Sequence, residues 1–485
     1  MKVRELKPNL IWELFDEITQ VPRPSKKEEK IVQYLVDFAK KHGLEVKTDK
    51  ALNVLITKPA TPGMENRKSI ILQSHTDMVC EKNSDTEFDF DTQGIQTFIE
   101  GDWVKAKGTT LGADDGIGMA AALAILASKD LQHGVVHALF TADEETGLGG
   151  ANALTAEFLD GDILLNLDSE EWGEFCIGCA GGKNTQGIFT YQQTDAPKDF
   201  FWFDIQVSGL NGGHSGSDIH VGLGNANKII TRYIYTLLSE APVRIATIDG
   251  GNLHNAIARE ARATIGIPYA SKERAAVLAN TLQAELSSEL AHTDANVKLE
   301  IASAEAPKNC IDEKTSVNLI QALYALPHGV MGWSFDMEDT VETSTNLASV
   351  KMKEGNKIVV VTSQRSSTNS LKVDIANMVA SVFQLAGAEV IASDGYPGWK
   401  PNPDSPVLKV SLDVYKKLFK SEPKVYSIHA GLECGLFLEK NTKLDMISCG
   451  PTVLGAHSPD ERVQISTVEK WWEYMVELIK EIPVK

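Results

Sequence analysis

Apolar positions between Asn9 and Thr19 recur with a helical period, and a second such stretch follows Ser25, with Ile31, Leu35 and Phe38 on one face and Gly43 as its stop. Ser25 and Glu28 have the spacing of a capping box, which predicts that this helix starts at Ser25. Short apolar runs then alternate with helical stretches. Strands are predicted over 69–73, 135–141 and 163–167, with a helix over about 115–128. Runs without polar alternation mark strands buried on both faces, and their alternation with helices predicts an α/β layered domain with a largely parallel sheet.

The pattern changes near Gly187. Strands are predicted over 200–207 and 297–302, helices over 226–238, 272–292, 317–326 and 369–385, and a hairpin over 346–353 and 357–362 joined by Glu354-Gly355-Asn356. This reads as a separate α+β domain, 187–394, inserted into an α/β domain made of 1–186 and 395–485. The Gly395-Tyr396-Pro397-Gly398 turn and the proline-rich stretch 401–406 mark the return crossing. Beyond it, a helix over 407–419, a glycine-rich loop over 429–435 and a strand over 443–448 resume the α/β pattern.

Charge narrows the partners. Lys+Arg number 47 against Asp+Glu 66, a formal charge of −19, and no basic run is dense enough to track a phosphate backbone, so nucleic acid and anionic membrane are excluded as expected partners. The first twenty residues lack a signal peptide's apolar core and no stretch reaches membrane-spanning length, so a cytoplasmic protein is expected. Six scattered cysteines fit reduced thiols. Cys176-Ile177-Gly178-Cys179 has no second CxxC, which argues against a zinc ribbon.

Candidate chemistry gathers at strand ends. Ile70-Ile71-Leu72 leads to His75 and Asp77, Ala138-Leu139-Phe140 to Asp143-Glu144-Glu145, and Leu164-Leu165 to Asp168. Ligands in an open α/β sheet bind beyond the carboxyl ends of its strands, so these acids and the imidazole are expected in one place. Asp114-Asp115 precedes a helix, and His457 to Glu461 add a second imidazole and more carboxylates. Two imidazoles with several carboxylates suit zinc, and a carboxylate shared by two ions would hold them ~3.5–4 Å apart. Asp77, two residues beyond His75, is placed to accept the ring's other N–H. Neighbouring side chains of an extended pair such as Glu144-Glu145 diverge, so one can bind metal while the other faces water.

The motifs SHTDMV, GADDG, DEETG, NLD, GGHSG and AHSPDE, in this order, resemble the di-zinc metallopeptidase family that holds carnosinases, aminoacylases and peptidase T; the match spans nearly the whole chain and is most similar to its bacterial Xaa-His dipeptidase branch. The resemblance implies a zinc-peptidase-like mixed sheet flanked by helices, with an inserted α+β lid; the insert here, about twice the family's usual size, departs from that pattern. It implies that His75, Asp114 and Asp168 hold one of two Zn²⁺ per chain and Asp114, Glu145 and His457 the other, with Co²⁺ or Mn²⁺ able to substitute. Asp77 would clamp His75 and Glu144 would be the general base. His214 would stabilise an oxyanion, and Arg365, with help from Asn255, would grip the substrate carboxylate. The expected substrate is a dipeptide, Xaa-His including β-alanyl-histidine, and the expected assembly a homodimer; tripeptide aminopeptidase or N-acyl amino acid amidohydrolase activity is the alternative.

Two rival readings are weighed. Gly116-Ile117-Gly118-Met119-Ala120-Ala121 imitates a dinucleotide fingerprint, but it follows a polar loop, and Asp114-Asp115 would repel a pyrophosphate. A catalytically dead binding relative is the other, against which stands the presence of every position named above. Of the remaining histidines, His429 stands out for its glycine-rich neighbourhood.

Overall fold

The computed structural model describes residues 2–485. The chain divides into two compact units: 1–179, 399–427 and 432–485 form the first, and 180–398 with 428–431 the second. The first unit has the expected α/β character. Its main sheet has eight strands in the spatial order 45–48, 54–58, 136–141, 70–75, 163–166, 445–448, 174–179 and 424–428. The inner strands 136–141, 70–75, 163–166 and 445–448 run parallel, with antiparallel strands at the flanks, so the sheet is mixed. Ile70 to His75 are buried throughout, as a strand covered on both faces requires.

Register decides where the polar ends fall. His75 lies beside Thr141 and Gln73 beside Asn166, so the segments carrying Glu144, Glu145 and Asp168 leave the sheet at the edge where His75 ends its strand. Asp114 stands at the start of the helix Ala113–Ala127, while a smaller four-stranded sheet carries His457. Its strands Val453–Leu454 and Arg462–Gln464 form a hairpin whose loop holds His457 and Glu461.

The helix expected from Ser25 begins instead at Glu29, with no side-chain cap. The capping box fails because both of its members are drawn elsewhere. The Ser25 hydroxyl bonds the Asp77 carboxylate, and the Glu28 carboxylate, fully buried, accepts the Asp143 N–H at 2.9 Å.

The second unit is built on a sheet ordered 298–303, 200–208, 261–268, 244–250, 341–353, 357–366, 181–190 and 389–392, with 329–333 paired to 341–353. Helices 226–238, 272–289, 313–325 and 369–385 cover it, and their apolar faces share one core with the strands, including Ile205, Tyr233, Ile265, Leu319, Leu347 and Phe383. All six cysteines are free thiols, five of them buried.

Candidate metal centre

Asp114 is the hub of the first unit's polar edge. Its Oδ1 lies 3.0 Å from His75 Nε2 and its Oδ2 3.2 Å from His457 Nε2. Around His75, an Asp168 oxygen approaches the same Nε2 at 3.5 Å; around His457, a Glu145 oxygen approaches at 3.0 Å. The two imidazoles thus sit on opposite oxygens of one carboxylate, each with a further carboxylate of its own. Nitrogen and carboxylate oxygen are the donors zinc takes, and a carboxylate with one oxygen turned to each imidazole suits a pair of cations.

The outer contacts fix this arrangement. His75 Nδ1 faces Asp77, 3.4 Å from its carboxylate and 3.2 Å from its carbonyl. The Asp77 carboxylate also accepts the N–H groups of Glu144 and Glu145, at 3.0 and 3.2 Å, so one acid orients a ring and the loop bearing two more acids. Glu145 then reaches His457, and Glu144 is half-buried on the same loop.

Three residues without a sequence-based role hold the cradle. The buried Glu461 carboxylate accepts four successive backbone N–H groups, of Leu111, Gly112, Ala113 and Asp114, at 2.7 to 3.2 Å. Arg23, fully buried, donates to the carbonyls of Thr76, Asp77 and Gly112 and places a positive charge beside Glu461, Asp77, Asp114 and Asp115. Glu433 lies buried beneath the edge, accepting from Gln73 and Thr141. Glu461 stands inside the AHSPDE motif and Arg23 between two prolines, and those settings are the signals that could have drawn attention to them.

Gly112 and, within the imitation fingerprint, Gly116 have a steric purpose here. Gly112 adopts φ +68°, and a Cβ at either Gly112 or Gly116 would meet the Arg23 guanidinium at 2.7 Å. The regular helix begins only after Asp114 and Asp115, whose backbones are non-helical, and Asp115 accepts the Gly118 N–H at 3.1 Å.

The electrostatics are those of an acid cluster short of positive charge. Burial pushes Glu144 and Asp168 up, and neighbouring carboxylates add to the shift. Burial would also raise Asp114, but hydrogen bonds from His457 and His75 hold it well below the usual carboxylate range. His457 is raised to about 11 by its bonds to Asp114 and Glu145. His75 is raised against its burial by Asp168 and Asp114.

The other expected residues belong to the second unit. His214 pairs with Ala256 in a two-stranded ribbon, next to Asn255, whose carbonyl accepts the Ser215 N–H. His214 Nδ1 accepts the N–H groups of Gly216 and Ser217 at 3.3 and 3.1 Å, which leaves the ring proton on Nε2. Burial and Arg365 push this imidazole down, toward the neutral form. Arg365, buried, donates to Tyr396 Oη at 3.0 Å and lies 3.5 Å from Ser215 Oγ. His429 Nε2 is 2.8 Å from Ser344 Oγ, and burial followed by Arg365 pushes it down to about 3.

A profile of peptidase family M20/M25/M40 matches residues 71–481. The chain belongs to this family and is a peptide hydrolase of the metallopeptidase kind. It is 44% identical over 484 residues, the whole of both chains, to the cytosol non-specific dipeptidase of Escherichia coli. The crystal structure of aminoacylhistidine dipeptidase from Vibrio alginolyticus is similar over 100% of this chain and 99% of that one, at 44% identity and TM-score 0.95. Aminopeptidase PepT from Bacillus cereus shares the fold at TM-score 0.58 and 18% identity, over 98% and 99% of the two chains.

Proposed function

We propose that the protein is a dipeptidase working with two Zn²⁺ per chain, one held by His75, Asp114 and Asp168 and the other by Asp114, Glu145 and His457. The observation that carries this reading is Asp114, with one oxygen 3.0 Å from His75 and the other 3.2 Å from His457. When bound, such ions acidify a water and polarise the scissile carbonyl. Glu144 takes the proton of the attacking water and passes it to the leaving amine, a step its burial and raised pKa favour. Asp77 keeps His75 and both glutamates aligned.

His214, with its proton on Nε2, is the proposed donor to the developing oxyanion, and Arg365 the group that binds the dipeptide's free carboxylate, with Asn255 beside it. Xaa-His dipeptides, β-alanyl-histidine among them, are the proposed substrates, supported by likeness to an aminoacylhistidine dipeptidase. The likeness to a non-specific dipeptidase extends the expected set to other dipeptides. A homodimer in the cytoplasm is the proposed state of the protein.

A panel of dipeptides, tripeptides and N-acyl amino acids, assayed with and without chelator, tests this reading. Dipeptides should be cleaved, activity should vanish on chelation, and Zn²⁺, Co²⁺ or Mn²⁺ should restore it. Full turnover in a metal-free preparation would sink the mechanism, and preference for tripeptides or N-acyl amino acids would move the substrate class.

A further inference from the structure

The polar side chains beneath the metal edge form one directed chain of hydrogen bonds. Glu433 Oε2 accepts from Gln73 Nε2 at 2.7 Å and from Thr141 Oγ1 at 2.9 Å. Gln73 Oε1 accepts from Asn166 Nδ2 at 2.6 Å, Asn166 Oδ1 accepts from Ser448 Oγ, and Ser448 meets Ser169 at 2.7 Å. The chain crosses all four inner parallel strands, 136–141, 70–75, 163–166 and 445–448. Glu433, Gln73, Thr141, Asn166 and Ser448 are each 2% exposed or less, so bulk solvent does not compete for these bonds.

Direction is what Glu433 supplies. An amide can turn either end to a neighbour, whereas a carboxylate only accepts. With Glu433 taking the Gln73 NH₂, the Gln73 carbonyl must face Asn166, and the Asn166 carbonyl must face Ser448. Gln73 stands two residues before His75, and Asn166 two before Asp168.

We propose that Glu433 is a positioning residue for the metal centre. By fixing the sense of this chain it holds the strand ends bearing His75 and Asp168, and so the half-site those residues form, in the geometry a cation needs. The inference rests on the ligand assignment proposed above.

The test titrates Co²⁺ into metal-free protein, following the visible absorption of the bound ion, with calorimetry for stoichiometry. Wild type should bind two equivalents; failure to do so would remove the ligand assignment itself, an outcome separate from any effect of the Glu433 variants. Glu433→Ala should weaken one equivalent by at least ~10-fold and leave the other within a few-fold, the range seen when an outer hydrogen-bond partner is lost. Glu433→Gln, whose amide oxygen can still accept from Gln73 and Thr141, should restore the lost affinity. Gln73→Met, which cuts the chain at its next link, should repeat the Ala result and decides the matter if Glu433→Ala does not fold. Wild-type binding of both equivalents in Glu433→Ala and Gln73→Met, equal weakening of both, or a Gln variant as impaired as Ala would overturn the inference.

Discussion

Glu144 and Glu145 are chemically identical neighbours with different surroundings, and they should part on substitution. Glu145 reaches His457 at 3.0 Å, so Glu145→Gln should lose one metal equivalent by elemental analysis. Glu144→Gln should keep both and lower kcat at least ~10²-fold, the usual share of a positioned base; normal turnover would remove Glu144 from that role. His457 gives a pH signature. Its pKa in the metal-free protein is about 11, so it is protonated throughout the neutral range and a cation must displace that proton. Apparent metal affinity should therefore rise as pH rises from 6 to 9, with proton release visible as a buffer-dependent binding heat; affinity that ignores pH would contradict the ligand role. At this scale the sequence is most informative where residues sit in runs. His75, Asp77, Asp114, the Glu144-Glu145 pair, Asp168 and His457 are legible because apolar strands point to them or the family motifs contain them. Arg23 and Glu433 are not, since each acts through a fold contact with segments far along the chain.

The loop and helix around Asp114 show how an element can be shaped by what it must leave empty. Gly116→Ala would set a Cβ 2.7 Å from an Arg23 guanidinium already bound to three carbonyls, so the guanidinium has little room to yield. Overpacking of this kind costs ~1–3 kcal/mol. A lowered melting temperature with weaker metal binding is expected in Gly116→Ala, and an unchanged melt and affinity would show that Arg23 can move aside. The same segment imitates a phosphate loop in sequence, but Gly116 makes room for an arginine and Gly118 for the Asp115 carboxylate. Elsewhere the legible elements are the inner strands, whose apolar runs Ile70-Ile71-Leu72, Ala138-Leu139-Phe140 and Ile163-Leu164-Leu165 need no partner to be recognised. Strands 244–250 and 261–268 are hard to read because Ala, Asp, Gly and Pro, residues depleted in strands, interrupt or follow their buried isoleucines. The helix start at Glu29 is obscured for another reason: Ser25 and Glu28 have capping-box spacing, but tertiary hydrogen bonds outbid the local one.

At the scale of the molecule, the proposed donor His214 belongs to one unit and the proposed metal ligands to the other. Mixing His214→Ala chains with Glu144→Gln chains asks whether the proposed donor serves the proposed base of its own chain or that of a partner subunit. If His214 serves a partner subunit, mixed dimers regain an intact site and activity returns; a mixture that stays inactive places donor and base in the same chain. His214→Ala alone should keep its metal and lose kcat ~10²–10³-fold, the cost of a missing oxyanion donor. The interleaving of the units is only partly visible in the sequence, since the four residues 428–431 that fold with the second unit carry no change of pattern at their borders. One more consequence comes from the Glu461 carboxylate, which grips the backbone of Leu111 to Asp114 from up to 350 positions later in the chain. A ribosome delivers His75, Asp114 and Asp168 long before it delivers that clasp, or His457, or the strand Asp445–Ser448 that completes the inner sheet. The growing polypeptide thus carries the acids without the contacts that align them, so the proposed metal centre should assemble only once residues 445–461 have joined the fold.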